Sequence, residues 1–289
     1  MKTIVSVSVA LFLNLTLFSQ VYQWRGSERT GIFDETGLLK EWPESGPELV
    51  FDLEGIGKGW SSPVVTNDRI FISGMKDSSD YLSAIDFNGN VIWQKAYGPS
   101  WAKSFPDTRG SATIEDNRVY ILSGQGNLVC FEYGNGDVIW EVNVDSTYGA
   151  NWHAWGVSES ILIVDDKVIC TPGGDQTSVV ALNKMNGELI WKSESDGGLR
   201  AYVSPTIYTW LDFRYILTVT GTNLLALDPN SGEIIWKYTY YDEDLWKWQP
   251  GLIWVNTPVF HENQIWISKG YDYPAVMLVM DSSGQFVSE

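Results

Sequence analysis

One phrase recurs along this chain. Ala84-Ile85-Asp86 leads through Gly89 to Val91-Ile92-Trp93, and Cys130-Phe131-Glu132 leads through Gly136 to Val138-Ile139-Trp140. Ala181-Leu182-Asn183 leads through Gly187 to Trp191, and Ala226-Leu227-Asp228 leads through Gly232 to Trp236. A fifth copy, Val279-Met280-Asp281 through Gly284, reaches Ser288 where the tryptophan would fall. A fixed period of about 48 residues means a stacked or ring-shaped array in which each unit leans on its neighbours.

Within a unit, short β-rich runs flank a polar turn. Examples are Pro63 to Thr66 before Asn67-Asp68, and Ile161 to Val164 before Asp165-Asp166. That pattern is a hairpin signal. A Gly-containing turn follows, then a third strand, then a turn at the motif glycine, where a positive φ suits a residue without Cβ. Each unit therefore predicts a four-stranded antiparallel meander, the size of one propeller blade. The blades are expected near residues 59–97, 109–144, 156–195, 201–239 and 255–289. A single blade cannot bury both faces, so Trp93, Trp140, Trp191 and Trp236 are read as plates that dock one blade on the next.

The pattern Ala-x-Asp, then Gly, then Trp resembles the tryptophan-docking motif of the quinoprotein (PQQ-dependent) dehydrogenase superfamily. The same repeat builds the BamB-type assembly propellers. Trp24-Arg25-Gly26 and Gly37 to Pro43 are similar to the openings of bacterial secreted PQQ-like propeller proteins. The resemblance covers residues 24 to 289 and implies an eight-bladed ring in most relatives. It does not imply enzyme activity. The fold class expected is an all-β propeller with about five blades visible, an incomplete part of such a ring. Residues 47–53, with Phe51 at the place of the tryptophan, read as an orphan outer strand.

Residues 1–20 read as a signal peptide: Lys2, an apolar stretch from Ile4 to Phe18, then Ser19-Gln20 as the cleavage region. No cysteine stands there to carry a lipid anchor, and no later segment is apolar enough to span a membrane. The expected location is the periplasm or the medium. A net charge of −17 argues against nucleic-acid partners, which require basic patches. Cys130 and Cys170 are the two cysteines. They fall at different strand positions, so small buried thiols are favoured over a bridge.

Quinoprotein dehydrogenases use PQQ, Ca²⁺, a catalytic carboxylate and often an adjacent Cys-Cys disulfide. This chain has no Cys-Cys pair and no Asp-x-Asp-x-Asp calcium loop. Its two histidines, His153 and His261, are far apart. No metal cluster, triad or phosphate loop can be argued, so no cofactor is supported by the residues; PQQ and calcium enter only through the resemblance.

Binding candidates lie on the loops between blades, which lead to the innermost strands and surround one mouth of the central channel. They are Trp60, Trp101, Arg109, Trp152, His153, Trp155, Tyr202, Trp246, Trp248 and Asn256. Aromatic groups beside a cation can hold a carboxylate, a sugar or a peptide. The same aromatics can instead seal each loop onto its neighbour. The reading is an exported, non-catalytic binding or scaffold propeller whose partner is an envelope protein or a small-molecule or glycan ligand. The alternatives are a PQQ-dependent alcohol or sugar dehydrogenase and a carbohydrate-binding propeller.

Overall fold

The computed structural model describes residues 20–151, 155–240, 254–269 and 273–288. Nearly all of the expected signal peptide therefore lies outside the described residues. So do Trp152, His153, Trp246 and Trp248.

The described residues open with a short strand, β1 (Val21–Tyr22), and then build five antiparallel sheets in sequence order. Blade one comprises β2 (Val64–Val65), β3 (Ile70–Lys76), β4 (Ser79–Ile85) and β5 (Val91–Pro99). Blade two comprises β6 (Thr113–Glu115), β7 (Arg118–Leu122), β8 (Asn127–Glu132) and β9 (Val138–Asn143). A one-turn helix, α1 (Val144–Tyr148), follows. Blade three comprises β10 (Leu162–Val164), β11 (Lys167–Cys170), β12 (Val180–Asn183) and β13 (Leu189–Lys192). Blade four comprises β14 (Thr206–Trp210), β15 (Phe213–Val219), β16 (Asn223–Leu227) and β17 (Ile234–Thr239). Blade five comprises β18 (Val259–His261), β19 (Gln264–Ile267), β20 (Val276–Met280) and β21 (Phe286–Ser288).

Helix α1 was not anticipated in the loop after Trp140. Asn143 caps it by accepting from the Ser146 amide, and Gly149 ends it in the left-handed conformation.

The repeated phrase has one geometry in every blade. The small residue of the third strand lies opposite the tryptophan: Ala84 faces Trp93, Cys130 faces Trp140, Ala181 faces Trp191 and Ala226 faces Trp236. Val279 faces Ser288 in the fifth. The register then slips by one residue at the same place each time, a bulge that turns the strand end toward the motif glycine.

The core sits between blades. On β7, Val119 and Ile121 pack toward Phe71, Leu82 and Trp93 of blade one, while Tyr120 and Leu122 pack toward Val168 and Cys170 of blade three. Alternation of period two thus serves two interfaces with one strand. Cys130 and Cys170 share the interface between blades two and three as free, buried thiols.

Three of the docking tryptophans, Trp93, Trp140 and Trp191, lie over the motif glycine of the next blade. A Cβ built on Gly136 would stand 2.7 Å from Trp93, on Gly187 2.7 Å from Trp140, and on Gly232 2.3 Å from Trp191. These glycines have φ of 71°, 75° and 75°, so both the close approach and the backbone require Gly. Each indole also donates to a carbonyl of that turn: Trp93 Nε1 to Tyr133 O, Trp140 Nε1 to Lys184 O and Trp191 Nε1 to Pro229 O, at 3.0–3.1 Å.

Blades one and five differ. Their turns are one residue shorter, closing from the Gly89 amide to Asp86 O and from the Gly284 amide to Asp281 O. The longer turns close Gly136 to Glu132, Gly187 to Asn183 and Gly232 to Asp228. The plate over Gly89 is Phe51, which has no N–H to satisfy. Residues 47–53 form no strand, yet Phe51 does the work of a docking tryptophan. The plate facing blade five is Trp236, and its Nε1 is buried without a hydrogen-bond partner. Blade five presents Ile265, Ile267, Leu278 and Met280 to blade four, whereas Trp266 on its other face is 47% exposed.

Candidate functional site

The first strands of all five blades begin at one place. Trp60 and Ser62, Arg109 and Ser111, Ser158 and Ser160, Tyr202 and Ser204, and Val255 and Thr257 line a single depression of about 240 Å³ together with Trp24. Five serine or threonine hydroxyls therefore stand in equivalent positions around the mouth. Three of them tie blade to blade: the Ser62 amide donates to Ser111 Oγ, the Ser111 amide to Ser160 Oγ, and the Ser160 amide to Ser204 Oγ, at 2.9–3.1 Å. The x-x-Ser/Thr pattern at each strand start was present in the sequence, but nothing local revealed that these hydroxyls form a belt.

The candidates now separate. Trp60 is 75% exposed, and its amide donates to Thr108 O at 2.7 Å. Arg109 is half-buried and donates to the carbonyls of Phe105 and Ser104; burial draws its pKa below the ordinary guanidinium value. Tyr202 Oη accepts the Trp155 amide at 3.0 Å, and its ring lies 5.3 Å from Trp155, which also meets Phe105 at 6.2 Å. Trp101 is only 6% exposed and packs against Gly124 and Gly156, so it seals its loop onto the next blade and does not face the mouth. Asn256 donates to Ser268 Oγ beside a second depression shared with Trp24 and Arg25.

Beneath the mouth lies a buried polar layer. Asp80 accepts from Ser100, from Thr108 Oγ1 at 2.6 Å and from the Gly124 amide at 2.7 Å, which fixes the loop that carries Arg109. Arg200 pairs with Asp145 at 2.5 Å and donates to Thr171 O. Glu159 accepts the Thr171 amide, and burial pushes its pKa up to about 7 against the pull of Arg200 and Arg29. Arg29, from outside the repeats, enters this layer. No periodic signal marked it, because it belongs to no repeat.

Among the described residues the donor set does not fit PQQ with Ca²⁺. Those that line the depression supply hydroxyls, aromatic rings and one guanidinium, with no carboxylate. No group of three His, Cys, Asp or Glu that could hold a metal occurs among the described residues. Cysteines in separate blades cannot form the adjacent-cysteine ring. Hard cations take several oxygen ligands, carboxylates foremost.

A family model described as outer membrane protein assembly factor BamB matches residues 78–272. A quinoprotein ethanol dehydrogenase of Pseudomonas aeruginosa is 27% identical over 155 residues, 48% of this chain and 25% of the relative. BamB of Legionella pneumophila is 26% identical over 211 residues, 60% of this chain and 49% of the relative. The chain thus spans half or less of the length of these relatives. Among solved structures, BamB from Moraxella catarrhalis superposes with a TM-score of 0.52 at 18% identity, covering 78% of this chain and 62% of that one. Quinohemoprotein alcohol dehydrogenase from Comamonas testosteroni gives 0.57 at 17%, covering 83% and 44%. Both show the fold, a β-propeller. The matched repeats, with their docking tryptophans and glycines, place the chain in the family described as outer membrane protein assembly factor BamB.

Proposed function

We propose that this chain is an exported, non-catalytic propeller that binds an envelope protein at the axial mouth. The observation that carries this reading is Trp60, three-quarters exposed beside Trp24, Arg109 and Tyr202 over a belt of hydroxyls. Exposed aromatics with an arginine are the residue types that dominate protein interfaces. The depression, about 240 Å³, is smaller than the roughly 300–1,000 Å³ of a cofactor cavity and suits one or two protein side chains. Family membership supports the same reading, since relatives are named as assembly factors. No helix among the described residues is long and apolar enough to cross a membrane. Among the described residues the mouth gives the dehydrogenase reading no carboxylate. The glycan reading loses Trp155 as a free platform, because Tyr202 and Phe105 already engage its ring.

The test is site-specific photocrosslinking in the native envelope. A crosslinking residue at Trp60 should capture one discrete protein, and the same group at Val138, on an exposed outer strand, should not. Equal capture from both positions, or saturable binding of PQQ by the purified chain, would overturn the reading.

A further inference from the structure

The segment before the repeats is bound to the propeller as a ligand would be. β1 adds antiparallel to β6, with Val21 opposite Glu115 and Tyr22 opposite Ile114, so among the described residues blade two alone has five strands. Beyond β1 the chain turns back through Arg25 and Arg29, whose φ values of 65° and 55° fall in the left-handed region that side chains resist. The turn carries Arg29 onto blade three. Arg29 is 3% exposed, and its guanidinium donates to Ile161 O at 2.6 Å, Ser160 O at 2.5 Å and Gln23 Oε1 at 3.0 Å. Trp24 stacks near both arginines, 5.3 Å from Arg25 and 5.9 Å from Arg29.

This anchorage is incomplete in two ways. Arg29 Nε is buried with no hydrogen-bond partner, and burial draws the pKa of Arg29 down to about 9 even with Glu159 close by. On the side of blade one, residues 20–35 stand over an open cavity of about 1,070 Å³ that reaches Ser62–Val65. The segment grips blades two and three and leaves blade one uncovered. Of its side chains, only Tyr22 packs against the core between blades one and two. A strand added to an exposed edge, plus one anchoring side chain, is a recurring mode of peptide recognition. A cationic anchor also suits a chain of net charge −17.

We propose that the inner wall of blades two and three is a docking site for an extended polypeptide segment bearing an arginine, and that residues 21–29 are its internal occupant, displaced by a partner segment of the same chemistry. This rests on the mouth being a protein-binding surface. It adds which wall is used and what the partner must carry.

A labelled peptide copying residues 20–33 tests it by fluorescence anisotropy against the full-length chain. Arg29→Ala in the protein should tighten peptide binding at least tenfold, because the tethered copy no longer competes. A peptide with its own arginine replaced by alanine should not bind. In the unaltered protein, hydrogen exchange should show the amides of Thr113–Glu115 opening at least tenfold faster than those of Tyr120 and Ile121, and slowing when peptide is added. The proposal is overturned if a folded Arg29→Ala chain fails to bind the peptide, or if binding ignores the arginine. It is also overturned if the β6 amides are as protected as those of β7, a readout that needs no variant. Should Trp60 capture a partner while the peptide never docks, only this inference falls. Should the peptide exchange while Trp60 captures nothing, only the functional reading falls.

Discussion

Replacing a docking tryptophan by phenylalanine should have a different cost in different blades. Trp191 and Trp236 are almost equally buried, at 8% and 6% exposure, and each faces an alanine across the sheet. Trp191→Phe and Trp236→Phe therefore lose similar apolar area. They differ at the indole nitrogen. Trp191 Nε1 donates to Pro229 O at 3.1 Å, a bond with a net contribution of about 1 kcal/mol, and its loss also strands a buried carbonyl. Trp236 Nε1 has no partner: Tyr215 and Phe213, not the indole, stand over Gly284 in the shorter turn of blade five, and removing the buried N–H relieves a desolvation cost of about 1–3 kcal/mol. The two effects add to a difference of roughly 2–4 kcal/mol in favour of Trp236→Phe. Equilibrium denaturation in urea reads it as separated midpoints with unchanged slopes, since a changed slope would signal a change in cooperativity. In a domain of this size, about 2–4 °C in Tm accompanies each kcal/mol. Trp236→Phe should be near neutral and Trp191→Phe clearly destabilising. If Trp236→Phe costs as much as Trp191→Phe, the argument from the indole nitrogen is wrong.

Gly187→Ala should destabilise by more than about 2 kcal/mol, since it adds a Cβ 2.7 Å from the Trp140 ring at a φ of 75°, and thermal melting would show it. Glu159 binds its proton more tightly folded than unfolded, so its contribution to stability falls as pH rises from about 4.5 through about 7. Glu159→Gln should flatten that part of a stability–pH profile; an unchanged slope would refute the burial argument. Cys130 and Cys170 are buried thiols, the first raised to about 11, so both should resist iodoacetamide at pH 8 until the chain is unfolded, as intact mass would report. Trp60→Ala should leave the melting temperature unchanged, because the side chain is exposed, yet abolish binding of the captured partner.

The repeat phrase determined the blade by itself. Its apolar runs, its turn glycine and its tryptophan are local requirements of a meander that must be covered on both sides, so they survive as spacing in the sequence. The role of Phe51 was half-legible: alignment with the tryptophan position was visible, but only the packed structure puts its ring over Gly89 without a strand. The mouth was legible as a location, since loops entering first strands must meet there. Which aromatics face it was not. Trp60 and Trp101 look alike in sequence, and burial of one and exposure of the other depends on whether a neighbouring blade supplies a glycine to receive the ring. The entry of Arg29 between Gln23 and the carbonyls of Ser160 and Ile161 was decided by tertiary structure alone. A backbone carbonyl carries no sequence signature, and contacts made across more than a hundred residues leave no period to read.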